Sequence, residues 1–98
     1  MTVAAYVPDL MDRSRLSDVV DMFVPSVDAL AGVEADVLVV DLGRSGAVDA
    51  VAELAASGRR VVAFGSHVDT ELLDAARAAG AEVLARSRFF ADPAAAVS

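Results

Sequence analysis

Residues 36–41 read Asp-Val-Leu-Val-Val-Asp, and this short stretch decides the fold class. Four consecutive apolar residues, three of them the β-branched valine, lie between two aspartates. A continuous apolar run of this kind is typical of a strand covered on both faces, because a strand with one solvated face alternates apolar and polar residues. The stretch therefore predicts the central strand of a parallel sheet that has helices on both sides.

Similar short apolar runs occur on both sides of this central stretch. Each of them ends at a proline, a glycine or an arginine. Proline and glycine at these places are typical strand terminators. The predicted strands are residues 3–7, 21–24, 36–41, 60–64 and 82–85.

Helical patterns fill the segments between these strands. The predicted helices are one capped by Asp12 or Ser14 that runs to Val20, one or two turns over Val27 to Ala31 behind Ser26, a helix from Ala47 to Ser57, one from Ser66 to Gly80 with Val68, Leu72, Ala76 and Ala79 on its stripe, and a truncated last helix opened by Asp92 and Pro93. Strands that alternate with helices predict a three-layer α/β domain, with a parallel sheet of about five strands and right-handed crossovers.

Length and charge limit the classes of function. The chain has 98 residues, so we expect one domain, residues 1–98. Its formal net charge is −7. The negative charge argues against binding nucleic acid or an anionic membrane surface, since both require a basic face. The absence of cysteine excludes disulfides and thiolate catalysis. Neither a signal peptide nor an apolar stretch of ~20 residues is present, which predicts a cytoplasmic location.

Candidate site residues stand at the carboxyl ends of four of the five predicted strands. In an open parallel sheet this edge is where ligands bind. The residues concerned are Asp9, Asp12, Asp41, Arg44, Ser45, Gly65, Ser66, His67, Arg86 and Ser87. A purely structural interpretation is also open, because loops at this edge are solvated and helices need capping residues.

Residues 36–88 resemble the second half of a response-regulator receiver domain. The segment 36–42, Asp-Val-Leu-Val-Val-Asp-Leu, resembles the strand that ends in the phospho-accepting aspartate, which would be Asp41. Residues 60–69 resemble the fourth strand and its hydroxyl-bearing loop, and residues 80–84 resemble the approach to the fifth strand. The resemblance implies a flavodoxin-like fold with strand order 2-1-3-4-5.

The chain departs from the receiver pattern at the residues that handle the phosphoryl group. Receivers hold Mg²⁺ with an acidic pair after the first strand, and here only Asp9 lies at that place, with Asp12 further along. Receivers also place a lysine after the fifth strand, and this chain contains no lysine; Arg86 is the nearest substitute. The hydroxyl position falls on Gly65 or Ser66. We therefore expect a non-enzymatic, receiver-like interaction or regulatory module that has lost the phosphorylation machinery and uses no metal ion or cofactor.

An alternative function uses the same residues as an anion site. Asp41, Ser66 and Arg86 would then form a phosphate-responsive or small-anion-binding regulator, since the helix starting near Ser66 directs N–H groups toward the strand edge. The structural interpretation is that Ser66 caps its helix and that Arg86 pairs with Asp41 or Asp9. His67 is the only histidine and has no nucleophile in a recognisable catalytic motif, so an enzyme is the least favoured class.

The pair Phe89-Phe90 precedes a segment too short for a full last helix. Either these rings fold back over the sheet, or a second subunit docks there through an apolar patch. Of the two, the sequence favours the second, with Phe89 and Phe90 at the interface of a homodimer. Another signalling protein is the second expected partner.

Overall fold

The computed structural model describes residues 1–98 as a five-stranded sheet with helices on both faces. The strands are β1 (Val3–Tyr6), β2 (Met22–Phe23), β3 (Val37–Asp41), β4 (Val61–Gly65) and β5 (Glu82–Ala85). The helices are α1 (Leu10–Arg15), a 3₁₀ helix (Val27–Gly32), α2 (Ala47–Ala56), α3 (Thr70–Ala78), α4 (Arg86–Ala91) and α5 (Pro93–Val97). None of these helices has the length and apolar character needed to cross a membrane.

All neighbouring strands are parallel, and their order is β2-β1-β3-β4-β5. The stretch that decided the fold class is the middle strand, β3, which pairs with β1 on one side and β4 on the other. Every residue of β3 is buried. The predicted three-layer fold with strand order 2-1-3-4-5 is confirmed.

Side chains alternate across the sheet and form two separate cores. Leu38 and Val40 lie in the core beneath α2, α3 and the 3₁₀ helix. Val37 and Val39 lie in the opposite core, together with residues that follow α1 and residues of α4 and α5. An uninterrupted apolar strand is thus required, because each face of β3 meets a different layer of helix.

Helix α1 is shorter than the sequence predicts and begins earlier. Its N-cap is Asp9, whose Oδ1 accepts a hydrogen bond from the amide of Asp12 at 3.0 Å. The prediction of a cap at Asp12 or Ser14 was wrong, as was the extension to Val20, because the helix ends at Arg15. This earlier start brings Asp12 into the first turn, where it is buried.

Helix α3 also begins at a different residue from the predicted one. It starts at Thr70, after a turn in which the amide of Asp69 donates to the Ser66 carbonyl at 3.0 Å. Val68 precedes the helix and is 72% exposed, so it does not belong to the buried stripe. The residues of α3 that enter the core are Leu73 and Ala76.

The sheet face near the chain's end is covered by a helix that the sequence analysis missed. Helix α4 follows β5 without a loop and buries Phe89 completely and Phe90 to 9% exposure. Phe89 stacks on Phe64 of β4 with ring centroids 4.7 Å apart, and Phe90 meets Phe64 edge-on at 5.2 Å. The predicted Phe89-Phe90 interface is therefore corrected: the rings fold back on their own sheet, which leaves little of either for a second subunit.

The last helix, α5, has only five residues, as the sequence predicts. Asp92 caps it by accepting a hydrogen bond from the amide of Ala95 at 3.2 Å, with Pro93 in the first turn. Its end is attached to the sheet by Arg60, which donates to the carbonyl of Val97 at 2.9 Å and also pairs with Glu82. A short helix is thus sufficient to complete this layer.

Candidate functional site

The carboxyl edge of the sheet carries an ion pair between α1 and α4. Arg86, the first residue of α4, donates from Nη2 to Oδ1 of Asp12 in α1. The Asp12 side chain is only 6% exposed, whereas that of Arg86 is 43% exposed. A buried carboxylate is costly unless it is paired, so this cation is the partner that allows Asp12 to lie inside the edge.

Arg86 is the electrostatic centre of this edge. The hydrogen bond to Asp12 raises the pKa of Arg86 above its ordinary value, and the negative charges of Asp12, Asp41 and Asp9 act in the same direction. Its guanidinium also lies 4.8 Å from the centre of the Phe90 ring. The side chain therefore stays cationic and is held between an acidic cluster and an aromatic surface.

Asp41 ends β3 and is held mainly by its own loop. It is 7% exposed, and its Oδ1 accepts a hydrogen bond from the amide of Gly43 at 2.9 Å. Its Oδ2 lies 3.5 Å from Nε of Arg44, which is a long contact. Asp41 is thus at the place expected of the phospho-acceptor, with one oxygen engaged by backbone and the other facing an arginine.

The other predicted site residues are engaged locally. Asp9 is exposed and caps α1. The Oγ of Ser66 accepts a hydrogen bond from the amide of Val68 at 3.4 Å, and no hydrogen bond joins Ser66 to Asp41 or Arg86. His67 is exposed at the same turn. The structure thus brings Asp41 and Asp9 into the electrostatic field of Arg86 but does not connect Ser66 with them.

Asp12 is the residue of this edge that the sequence analysis undervalued. The structure pairs Arg86 with Asp12, and not with Asp41 or Asp9 as the structural interpretation expected. The available signal was the spacing of Asp9 and Asp12, since a cap and the third residue after it lie on adjacent turns of a helix start. With Asp9 taken as the N-cap, Asp12 falls in the first turn of the helix, close to the carboxyl edge of the sheet.

The carboxylates at this edge do not fit a Mg²⁺ site. Mg²⁺ requires several oxygen ligands at near-octahedral positions. Here Asp12 is bonded to Arg86, Asp9 caps a helix, and Oδ1 of Asp41 accepts from Gly43. No three acidic or histidine side chains lie close enough together to hold one metal ion. The positive charge among these carboxylates is supplied by a guanidinium of the chain itself.

Comparison with solved structures identifies the fold. The isolated REC domain of RcsB from Salmonella enterica serovar Typhimurium, in its apo form, superimposes with a TM-score of 0.74 at 15% identity, over 95% of this chain and 81% of that chain. A structure of the RcsB response regulator of Salmonella typhimurium, described for conformational dynamism in DNA interaction, gives a TM-score of 0.73 at 15% identity, over 95% of this chain and 55% of that one.

The sequence itself has no detectable relative in two further comparisons, since no family model and no curated protein matches it. The structural likeness therefore shows the fold: this is the receiver fold, with the five parallel strands and the strand order of its flavodoxin-like architecture. The resemblance proposed from residues 36–88 is confirmed at that level.

Proposed function

We propose that this chain is a non-enzymatic receiver-like module that acts in signalling by binding another protein and does not use aspartyl phosphorylation. The observation that carries this proposal is the Arg86–Asp12 ion pair. This pair supports the proposal because a guanidinium of the chain itself lies at the edge where a phosphorylated receiver would need a divalent ion and a lysine. Asp12, which Arg86 holds, is then not free to join Asp9 or Asp41 as a Mg²⁺ ligand.

The state of Asp41 supports the same proposal. Transfer of a phosphoryl group requires an in-line nucleophile and cations that neutralise the equatorial oxygens. Arg86, the first basic residue after β5, is turned to Asp12, and Arg44 already faces Asp41. Arg86 would have to leave Asp12 before it could hold a phosphoryl group on Asp41.

Several accompanying features belong to the same proposal. A cytoplasmic signalling protein is the expected partner, and a homodimer is the expected assembly because a domain of this size gains from added burial. The net charge of −7 keeps nucleic acid out of the proposed partners. These features rest on composition and on the fold, and Phe89 and Phe90 no longer contribute to them.

The alternative function is a phosphate-responsive or small-anion-binding regulator that uses Asp41, Ser66 and Arg86. It requires Arg86 to leave Asp12 and Ser66 to turn from the amide of Val68. Leaving a fully buried carboxylate without its cation costs several kcal/mol. For this pair, in which Arg86 is partly exposed, we expect a cost of about 2 kcal/mol. The ion pair thus favours the first proposal.

The test is exposure of the wild-type chain to acetyl phosphate, and separately to beryllofluoride, each with Mg²⁺. We expect no added phosphoryl mass and no change in Tm, with Asp41→Asn behaving identically. A complex populated at 100 times its Kd would add about 2.7 kcal/mol to the free energy of unfolding, which is easily detected. An added mass or a rise in Tm that disappears in Asp41→Asn would overturn the proposal, and a phosphate-dependent rise abolished by Ser66→Ala would favour the alternative.

A further inference from the structure

A groove lies beside the ion pair, on the surface between α1 and α4. It has a volume of about 370 Å³ and is lined by Arg15, Arg86, Ser87, Phe90 and Ala91. Both charged residues of its lining are cationic, although the chain as a whole carries a net charge of −7. The groove is thus a cationic patch on a chain whose net charge is negative.

Two guanidinium groups share one aromatic ring in this groove. The guanidinium carbon of Arg15 lies 4.3 Å from the centre of the Phe90 ring, and that of Arg86 lies 4.8 Å from it. The ring is fixed by its edge-on contacts with Phe64 and Phe89, each at 5.2 Å. Contact with an aromatic face orients a guanidinium while its N–H groups remain available for hydrogen bonds.

Arg15 has no other partner in the chain. Four of the eight arginines form ion pairs with aspartate or glutamate, and Arg13 and Arg59 donate to backbone carbonyls. Arg15 makes neither an ion pair nor a hydrogen bond, and it is exposed. It is therefore a pre-oriented cation whose five N–H donors have no partner within the chain.

We propose that this groove binds an acidic segment of a partner protein, with its carboxylates on Arg15 and on the remaining donors of Arg86 and its aliphatic atoms against the exposed Ala91. The inference rests on the proposed function as an interaction module and names the chemistry of its partner. Two like charges on one ring repel each other, and a bound carboxylate removes that repulsion. Arg86 keeps its bond to Asp12 throughout.

A segment with several carboxylates fits this groove better than a small free anion does. The groove opens to solvent, so a single anion would contact little except the two guanidinium groups, and exposed ion pairs are weak. A segment adds apolar contact with the exposed Ala91 and carries several carboxylates. Nucleic acid extends beyond the groove and would meet the net charge of −7 that the chain carries.

The test is titration of the ¹⁵N-labelled chain with a capped decapeptide rich in glutamate, at low salt, followed by NMR. We expect saturable shifts at the amides of Ser87, Phe90 and Ala91 and at the side-chain Nε of Arg15. A decapeptide with glutamine in place of each glutamate is the control probe and should cause no such shifts. Arg15→Gln should weaken binding by about three- to fivefold, the size of an exposed ion pair.

Arg88→Gln is the matched control variant. Arg88 lies on α4, two residues after Arg86. It is exposed, forms no ion pair and does not line the groove, so Arg88→Gln removes the same charge as Arg15→Gln from a neighbouring position. It should weaken binding by less than about twofold, which is the effect expected of net charge alone. Equal effects of Arg15→Gln and Arg88→Gln would overturn the proposal, as would equal binding of the two peptides or no binding at all.

Two further outcomes would identify another occupant. If inorganic phosphate alone saturates the same resonances and displaces the peptide, the groove is a small-anion site. If the same resonances change on dilution of the chain without peptide, a second copy occupies it. Failure of peptide binding leaves the phosphorylation result unaffected, because the Asp41-dependent response to beryllofluoride is measured without peptide; the two proposals therefore fail separately.

Discussion

Arg86→Gln removes the internal cation from the acidic edge and should lower the free energy of unfolding by about 2 kcal/mol. The substitution leaves the Asp12 carboxylate, 6% exposed, without its charged partner. It also shortens a side chain whose guanidinium contacts the Phe90 ring at 4.8 Å. The variant therefore combines an unpaired buried charge with a small loss of packing.

The magnitude lies between two limits. Removing one partner of a fully buried ion pair costs about 3–5 kcal/mol, and removing one partner of a surface pair costs about 0–1 kcal/mol. Here one side chain is buried and the other is 43% exposed, so we take about 2 kcal/mol. For a domain of this length that corresponds to a fall in Tm on the order of 10 °C.

A double-mutant cycle in urea separates the ion pair from general effects. Asp12→Asn alone should cost about 1 kcal/mol, because the half-exposed Arg86 that remains is solvated. Adding Asp12→Asn to Arg86→Gln should recover about 1 kcal/mol, since the unpaired charge disappears. Arg88→Gln should change stability by less than about 0.5 kcal/mol. Additive costs, or an Arg86→Gln effect no larger than that of Arg88→Gln, would refute the central role of the pair.

Three further predictions concern the rest of the domain. The hydrogen bond from Arg60 lowers the pKa of Glu82 below its ordinary value of 4.5, so the pair stabilises above that pH and its contribution is lost as pH falls through the lowered folded-state value. Glu82→Gln should thus cost up to about 1 kcal/mol near pH 7, a small figure because the pair is exposed. In urea titrations the difference from wild type should shrink as pH falls below 4.5; a difference that does not change with pH would contradict this. Phe89→Ala should lower the free energy of unfolding by about 3–5 kcal/mol in urea while light scattering shows an unchanged mass, because the ring lies in the core of its own chain; a change in mass would contradict this. Gly46→Ala should cost about 1–2 kcal/mol by thermal unfolding because Gly46 has a φ of 77°, whereas Gly32→Ala, with open space at its Cβ and no positive φ, should be neutral or slightly stabilising; equal effects would show that backbone strain is absent.

The layers of the fold were predictable because a continuous apolar run indicates a strand that is covered on both faces. Residues 37–41 are apolar without interruption until the aspartate, and every one of them is buried. The short strand 82–85 was also placed correctly, since Gly80 ends the helix before it and Arg86 follows it. Burial on both faces is a local property of the sequence, so a local pattern can report it.

Helix α4 was missed because nothing in the sequence separates it from β5. Ala85 ends the strand and Arg86 begins the helix, with no glycine, proline or capping residue between them. The spacing of Arg86, Phe89 and Phe90 is helical, but six residues are too few to distinguish a helix from a loop. The helical conformation of residues 86–91 is decided by packing on the sheet face beneath, where Phe89 stacks on Phe64.

The site was predicted in part for a similar reason. The carboxyl edge and the place of Asp41 follow from the order of strands and helices. The pairing of Arg86 with Asp12 joins residues 74 positions apart, and it depends on a helix start that differs from the predicted one by a few residues. Contacts of that range depend on the packed structure, which the sequence pattern does not contain.

The most direct test of the internal cation is a Mn²⁺ titration of the wild-type chain followed by NMR. Mn²⁺ occupies the same hard oxygen sites as Mg²⁺ and broadens resonances near it. We predict that the amides of Asp12, Asp41 and Gly43 keep their line widths at millimolar Mn²⁺, equal to those of exposed acidic positions such as Asp74. Saturable broadening at these three amides, absent at Asp74, would show that a metal ion binds at the acidic edge and would contradict the claim that Arg86 is its cation.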